Sequence, residues 1–376
     1  MTATAPIDPA VDARFMALAL ALGRRGLGNT WPNPSVGAVI VREEPHGPVV
    51  VGRGWTQPGG RPHAEVEALR RAGAAARGAT IYTTLEPCSH FGQTPPCADA
   101  IIAAGIARVV SALDDPNPEI AGEGYRRLRA AGITVVTGVG VEEARRTHAG
   151  HVRRMREGRP QVTLKLAVSA DGKAGLPGRR PIAITGEAVR ERVHRCRAMH
   201  DAILVGIGTA VADDPLLTAR LPGMLQRSPV RVVLDSTLRL SPESKLARGA
   251  REVPLWILTG PDAPSGRADA LRACGAEVLP VGGSGDRRDL AAALKLIAAR
   301  GITRLLVEGG PTVAAAFLTA GLVDTAVLLR SPVVIGEDGI NALEGVPLTA
   351  LTQSAQLRSR GVESVGSDTV EIFERT

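Results

Sequence analysis

Three side chains that bind zinc well, one imidazole and two thiols, occur close together in the first third of the sequence: His63, Cys88 and Cys97. Glu65 follows the histidine by two residues, and Pro87 precedes the first cysteine. A catalytic zinc site uses three protein ligands and leaves the fourth position for water. These ligands can share one metal only if the chain brings them to one point, which is a strong constraint on the fold.

The predicted secondary structure lets the three ligands converge. A helix predicted over 63–76 places His63 in its first turn. Cys88 lies just beyond a strand predicted over 80–84, and Cys97 heads the next helix. Helix N-termini carry a partial positive charge, which favours thiolate, the form of cysteine that binds metals.

Glu65 is the predicted general acid/base of this site. It stands two residues after a ligand, so it can lie over a zinc-bound water without becoming a ligand itself. There it can take a proton from the water and return it to a leaving amine. The four residues together predict a zinc-dependent hydrolytic deamination.

Other interpretations of the same residues stay open at this point. His63 and Glu65 are also typical of solvated first-turn residues, and each cysteine alone is typical of a small core residue. A structural zinc site is a further alternative, and it requires a fourth protein ligand, for which His90 is the nearby candidate. The order His-x-Glu, Pro-Cys, Cys favours the catalytic site.

The chain as a whole alternates between short apolar strands and helices, which predicts α/β domains with largely parallel sheets. A polar, charged segment at 153–160 separates two such series. Since 376 residues is long for one domain, we expect two domains, over 1–152 and 160–376.

Composition narrows the possible partners. The net charge of +7 predicts anionic partners, unless it reflects an arginine-rich genome composition. Aromatic residues make up only 2% of the chain, and the arginines are spread out, both of which argue against nucleic-acid binding. Phosphorylated small molecules are the expected partners.

The four cysteines are too few for a disulfide framework. The segment 1–12 lacks the pattern of a signal peptide, and the apolar run 15–22 is too short to cross a bilayer. We therefore expect a cytoplasmic protein without membrane contact.

The order of the metal-binding residues matches the signature of zinc-dependent nucleobase deaminases, His-x-Glu followed by Pro-Cys-x-x-Cys. Here eight residues, 89–96, separate the cysteines instead of two. With this insertion, the stretch 84–97 closely resembles the bifunctional riboflavin-biosynthesis deaminase/reductases, the RibD family. Further matches to that family run through nearly the whole chain, at 32–34, 62–65, 114–118, 165–166, 169–173, 184–186, 213–215, 217–218, 234–236 and 307–311.

The resemblance implies a cytidine-deaminase-like α/β/α layered domain followed by a dihydrofolate-reductase-like α/β domain. It implies a deamination of a diaminopyrimidinone that carries a phosphoribosylamino group, and then an NADPH-dependent reduction of the ribosyl group to a ribityl group. His63, Cys88 and Cys97 would bind zinc, Glu65 would be the proton shuttle, and Asn33 would lie in the pyrimidine pocket. The reductase domains would pair into a homodimer.

The residues of the second half of the chain, taken without the resemblance, indicate its function less clearly than those of the first half. No G-x-G-x-x-G follows its first strand, so the usual dinucleotide fingerprint is absent from the sequence. Two strand-to-helix turns contain glycines, at 205–209 and 308–312, and the second could bring a pyrophosphate to a helix N-terminus. Ordinary strand-to-helix turns are the alternative.

Carried over position by position, the resemblance implies two sets of reductase residues. Cofactor-binding positions are Val168, Ala183, Thr209, Asp213, Ser236, Gly310, Pro311, Thr312, Val313, Ala314, Ala315 and Ala316. Substrate-binding positions are Pro181, Arg197, Leu217, Arg220 and Glu308, of which the arginines suit a phosphate. Ala183 stands where many relatives have Trp, and Ala170 stands where Leu is common. Lys165 and Asp171 are candidates for the proton donor of the reduction.

Two competing hypotheses belong to other functional classes. The first is a deaminase that acts on nucleic acid, with the second half as a binding domain. The second is a zinc-stabilised scaffold without activity, in which Glu65 has no chemical role.

Overall fold

The computed structural model describes residues 9–180, 182–282 and 289–376. The chain forms two compact units, Met1–Glu157 and Gly158–Thr376. The division falls inside the charged segment 153–160, where the sequence predicts a boundary between domains.

The first unit is a sheet covered by helices on both faces. Its α-helices in the described part are α1 (Pro9–Arg24), α2 (Ala64–Ala72), α3 (Cys97–Ala103), α4 (Glu123–Ala130) and α5 (Val141–Glu157). Its strands there are β1 (Gly37–Glu44), β2 (Gly47–Trp55), β3 (Thr80–Thr83), β4 (Arg108–Ser111) and β5 (Thr134–Thr137).

The order of these strands is β2-β1-β3-β4-β5. Strands β3, β4 and β5 are parallel, whereas β1 is antiparallel to both of its neighbours, so the sheet is mixed. Successive side chains of a strand point to opposite faces. Ala38 and Ile40 accordingly pack with α2, α3 and α4, while Val39 and Val41 pack with α1 and α5. The result is a three-layer α/β/α unit.

Local differences from the sequence-based prediction occur at helix ends. From the sequence, a helix is predicted over 141–151. In the structure it continues to Glu157, so the charged residues 153–157 are helical rather than linker. The helix predicted over 63–76 is α-helical only to Ala72, because Gly73 adopts a positive φ and a 3-10 turn follows.

The second unit is a larger α/β sheet. Its α-helices in the described part are α6 (Glu187–Ala198), α7 (Ile207–Asp213), α8 (Lys245–Arg248), α9 (Ser265–Ala273), α10 (Leu290–Ala299), α11 (Pro311–Thr319) and α12 (Thr349–Thr352). Its strands there are β6 (Gln161–Val168), β7 (Lys173–Gly175), β8 (Ala202–Gly206), β9 (Val230–Leu234), β10 (Leu255–Thr259), β11 (Glu277–Pro280), β12 (Arg304–Val307), β13 (Thr325–Arg330), β14 (Ile340–Asn341), β15 (Leu357–Val365) and β16 (Asp368–Arg375).

Nine of these strands form one sheet in the order β11-β10-β9-β8-β12-β6-β13-β16-β15. From β11 to β13 the strands are parallel, and β16 and β15 add an antiparallel edge. The chain leaves β8 towards β9 but leaves the adjacent β12 towards β13, on the opposite side. Such a reversal opens a crevice at the carboxyl ends of the strands, which is the usual ligand position in α/β sheets.

From the sequence, strands are predicted over 230–234, 277–280 and 304–307, and the structure has strands with these bounds. Strand β15 and the short pair β7–β14 have no counterpart in the prediction. In the described part of the chain, no helix is both long and apolar enough to cross a membrane.

A substitution at Gly309 tests the close packing between the end of β12 and β8, at the edge where the crevice lies. A Cβ on this residue would lie 2.5 Å from the Cα of Val205 in β8, so Gly309→Ala must displace backbone. We expect the substitution to lower the free energy of unfolding by about 1–3 kcal/mol. Urea denaturation of the full chain measures the effect.

Gly266→Ala is the matched control, because a Cβ at Gly266 in α9 would meet nothing within 4 Å. This change is expected to be neutral or to stabilise by about 0.5–1 kcal/mol. Equal destabilisation by both substitutions would contradict the packing argument.

Candidate metal centre and reductase cleft

His63, Cys88 and Cys97 lie together at the carboxyl edge of the first sheet. His63 is the N-cap of α2, Cys97 begins α3, and Cys88 follows β3. The Nδ1 atom of His63 lies 3.3 Å from Sγ of Cys97 and 3.7 Å from Sγ of Cys88. All three ligand atoms lie within 4.8 Å of one another. Ligand atoms of tetrahedral zinc are about 3.5–3.8 Å apart, so this donor set fits zinc.

The contacts among these side chains favour a thiolate. Hydrogen bonds from the thiol of Cys97 and from its backbone N–H, at 3.2 Å, lower the pKa of Cys88 to about 4. The contact with Cys88 raises the pKa of Cys97, and a hydrogen bond to Cys88 raises the pKa of His63. A bound cation removes the remaining protons from such ligands, which makes metal binding dependent on pH.

Glu65 lies beside the metal ligands without being one of the clustered donors. Its side chain is buried in the first turn of α2, and burial raises the pKa of its carboxyl group. The carboxylate also contacts the thiol of Cys97. A carboxyl group at this place can exchange protons with a metal-bound water.

His90, the candidate fourth ligand of a closed structural site, is exposed. Among the described residues, the clustered donors are only His63, Cys88 and Cys97. Three protein ligands are the number that a catalytic zinc site uses, whereas a structural site normally has four.

Glu86 organises the adjacent wall of this site, and sequence reasoning did not identify it. Its buried carboxylate accepts hydrogen bonds from the backbone N–H groups of Asp115, Gly122 and Gly124, at 3.0, 2.9 and 2.9 Å. The loop after β4 is thereby tied to the loop that carries Cys88. A carboxylate between buried residues at a strand end is the sequence signal that could have indicated such a role.

Asn33 lies in the loop between α1 and β1. Its Nδ2 atom donates to the backbone oxygen of Gly60 at 2.9 Å, which ties it to the segment just before His63. This contact orients the side chain and leaves Oδ1 as an acceptor.

The second unit contains a cleft of about 310 Å³ at the carboxyl ends of β6, β8 and β12. The predicted reductase residues that line it are Ala183, Thr209, Asp213, Glu308, Gly310 and Pro311. Pro181 lies outside the described residues. Among the other predicted reductase residues, Val168 ends β6, Ser236 follows β9, and Thr312 to Ala316 lie on α11. These residues do not line the cleft.

Gly310 forms a cradle at the N-terminus of α11. Its φ is +60°, and a Cβ there would lie 2.8 Å from Oγ1 of Thr209. Glycine therefore allows Thr209 to approach the backbone closely, both residues line the cleft, and the helix N-terminus there favours an anionic group. This arrangement fits a dinucleotide phosphate.

Arg197 and Glu308 form a buried bidentate ion pair, with N–O distances of 2.7 and 2.8 Å. Burial opposes both charges, but each partner outweighs it, so the pKa of Glu308 is lowered and that of Arg197 is raised. Arg220 has Thr218 as its side-chain partner at 3.5 Å and no carboxylate among the described residues. The side chain of Leu217 is buried in the core, although its φ of +56° marks an unusual turn.

The two candidate proton donors, Lys165 and Asp171, differ in whether they line the cleft and in their hydrogen bonds. Lys165 is half-buried and lines the cleft. Asp171 does not line it, and its carboxylate accepts hydrogen bonds from Ser169 and from the N–H groups of Ile335 and Gly336. These contacts lower the pKa of Asp171 to about 2, so it is ionised at neutral pH and is a poor proton donor.

Arg180 and Arg190 also line the cleft, and sequence reasoning missed both. They are exposed, and neither is paired with a carboxylate in the described part of the chain. Together with Lys165 they make this side of the cleft positive, which suits a phosphorylated ligand.

Comparison with known proteins covers both units. Residues 160–371 match the family described as RibD C-terminal domain, and residues 9–113 match the cytidine and deoxycytidylate deaminase zinc-binding region. The riboflavin biosynthesis protein RibD of Escherichia coli K12 is 39% identical over 95% of this chain and 97% of its own. The protein of the same name from Aquifex aeolicus is 40% identical over 97% of this chain and 99% of its own.

Two solved structures resemble this chain over nearly its whole length. The RibD structure from Acinetobacter baumannii is 33% identical, with a TM-score of 0.86 over 98% of this chain and 100% of its own. A structure from Thermotoga maritima, named as a diaminohydroxyphosphoribosylaminopyrimidine deaminase/5-amino-6-(5-phosphoribosylamino)uracil reductase, is 31% identical, with a TM-score of 0.83 over 98% of this chain and 99% of its own. The resemblance and the two-domain α/β fold class predicted from the sequence are thus confirmed. The chain belongs to the RibD family of riboflavin biosynthesis proteins, with a zinc-binding deaminase domain followed by a reductase domain.

Proposed function

We propose that this chain catalyses two consecutive steps of riboflavin biosynthesis. The first deaminates 2,5-diamino-6-(5-phosphoribosylamino)pyrimidin-4-one to 5-amino-6-(5-phosphoribosylamino)uracil, and the second reduces the ribosyl group with NADPH. The observation that carries the proposal is the His63, Cys88 and Cys97 cluster with Glu65 beside it. The name of the Thermotoga maritima relative supports both steps.

In the first unit, His63, Cys88 and Cys97 would hold zinc, which supplies Lewis-acid activation of water when bound. Glu65 takes a proton from the attacking water and delivers it to the departing amino group, which leaves as ammonia. Its buried position keeps bulk water from competing for the proton. Asn33, held by its hydrogen bond to Gly60, would accept or donate at the pyrimidine ring.

In the second unit, the cofactor would lie across the Gly310 cradle and against Thr209, Asp213 and Ala183. NADPH supplies the hydride when bound. Arg220 has no carboxylate partner in the described part of the chain and would bind the substrate phosphate. Arg197 is held by Glu308 and would present its remaining N–H groups beside it. Lys165 is the favoured proton donor.

The proposal includes a homodimer through the reductase domain. Strand β15 is an edge of the nine-stranded sheet, and Val362 on it is 62% exposed. An exposed edge strand is a ready surface for pairing with a second copy. Sedimentation equilibrium measures the mass directly. All four cysteines are free thiols, which supports a reducing, cytoplasmic setting.

Separate assays of ammonia release and NADPH oxidation test the two activities. The purified chain is supplied with the diaminopyrimidine substrate. We expect Glu65→Gln to lower the rate of ammonia release by at least ~100-fold, because the amide cannot carry the proton. The same variant should still oxidise NADPH normally when given the deaminated intermediate.

Retention of full deaminase activity by Glu65→Gln would eliminate the assigned proton transfer. Ammonia release by the wild type without NADPH oxidation would refute the reductase assignment alone. The scaffold hypothesis requires that Glu65→Gln leave every measurable property of the protein intact. Loss of ammonia release in this variant, with zinc still bound, would eliminate that hypothesis.

Metal analysis tests the ligand set independently of turnover. Wild-type protein should carry about one zinc ion per chain, and Cys88→Ala should lose nearly all of it because a ligand is missing. His90→Ala is the matched control, since His90 is exposed and outside the cluster, and it should retain the metal. Atomic emission after gel filtration gives the ratio. Zinc loss in His90→Ala would show a closed, four-ligand site.

A further inference from the structure

Arg61 lies at the edge of the metal centre, two residues before His63. Its Nη1 atom donates a hydrogen bond to Oγ1 of Thr94. A Cβ on Gly92 would lie 3.3 Å from its Nη2 atom. Arg61 therefore reaches from the start of α2 to residues 89–96, here named the inter-cysteine segment because Cys88 and Cys97 flank it.

The charge of Arg61 is not neutralised by a carboxylate within the described residues. Most other arginines of the first unit are paired: Arg24, Arg42, Arg70, Arg71, Arg108, Arg126, Arg127, Arg145 and Arg153 each form an ion pair. The inter-cysteine segment contains no lysine or arginine of its own. Arg61 is thus the cation that the structure supplies to this segment.

Arg61 and Glu65 flank the metal ligand His63, each two residues away from it in the chain. Glu65 is buried, whereas Arg61 is only partly buried and its hydrogen bond to Thr94 is exposed. The interior of the site thus holds the carboxyl group, and Arg61 provides positive charge at the edge.

We propose that Arg61, oriented by Thr94, binds the phosphate of the deaminase substrate. This inference rests on the proposed function, in which the reacting amino group enters the buried centre. The phosphoribosyl group stands at the other end of the molecule and must extend outwards. An arginine offers five N–H donors, and Thr94 occupies one, which leaves an edge for two phosphate oxygens.

The alternative role of Arg61 is to brace the inter-cysteine segment through Thr94. A brace affects every substrate of the site in the same way, whereas a phosphate-binding group distinguishes phosphorylated from dephosphorylated substrate. The two roles therefore differ in a measurable ratio.

The kinetic test compares the substrate with its dephosphorylated form, using zinc-loaded full-length protein and ammonia release. Arg61→Ala should raise KM for the phosphorylated form roughly 10- to 100-fold, the loss expected for a charged hydrogen-bonded contact, with kcat little changed. KM for the dephosphorylated form should stay the same. Arg61→Lys should restore part of the difference, and Arg53→Ala, at an exposed arginine of β2, should change neither value. Equal effects of Arg61→Ala on both forms would overturn the proposal.

A binding test separates this proposal from the proposed function. Phenylglyoxal modifies accessible arginines, and peptide mass spectrometry reads the modification of Arg61 alone. Ribose 5-phosphate should slow the modification, and ribose should not. Protection in a protein that releases no ammonia would leave the phosphate site standing and refute the deaminase function. An active deaminase without protection by ribose 5-phosphate would refute the phosphate site alone.

Discussion

Both sites depend on the parallel alignment of neighbouring strands, which places their carboxyl ends at one edge of a sheet. In the first unit this alignment sets the loops after β3 and β4 side by side, so that Cys88 and Asp115 belong to one site. In the second it sets the ends of β6, β8 and β12 around one cleft. Backbone hydrogen bonds of the ladders hold these ends within a few ångströms, which loops by themselves could not do.

Within that frame, buried carboxylates hold the loops. Glu86 accepts three backbone N–H groups, and Glu308 holds Arg197 through two bonds. Removing either carboxylate would leave buried donors without partners, which costs more than the bonds contribute when formed. The backbone around Glu86 and the side chain of Arg197 are consequently held in place by these carboxylates.

How much of this could be predicted from the sequence differs between the two units. The metal cluster could be predicted because its ligands sit at element ends and have a chemistry of their own. The role of Glu86 could not be predicted, because its partners are backbone N–H groups 29 to 38 residues further along the chain, at Asp115, Gly122 and Gly124. Contacts of that kind leave no local pattern.

The reductase cleft was harder to predict for a related reason. Arg180 and Arg190 resemble any exposed arginine until the fold brings them to the cleft that Lys165 lines. Asp171 resembles any acid in a glycine-containing turn, yet its carboxylate accepts hydrogen bonds from Ile335 and Gly336 and thereby anchors their loop. For such side chains the function depends on partners that only tertiary structure supplies.

The inter-cysteine segment is flanked at both ends by metal ligands, so metal binding also affects how well the protein resists degradation. A metal bound by Cys88 and Cys97 acts as a cross-link that closes this segment into a small ring and removes much of the conformational entropy of its free state. Phe91 in the ring is 75% exposed, so no hydrophobic core holds it in place. A chain made under zinc starvation would therefore carry an open, exposed stretch that proteases cut. Cellular metal supply would then set the lifetime of the protein as well as its activity.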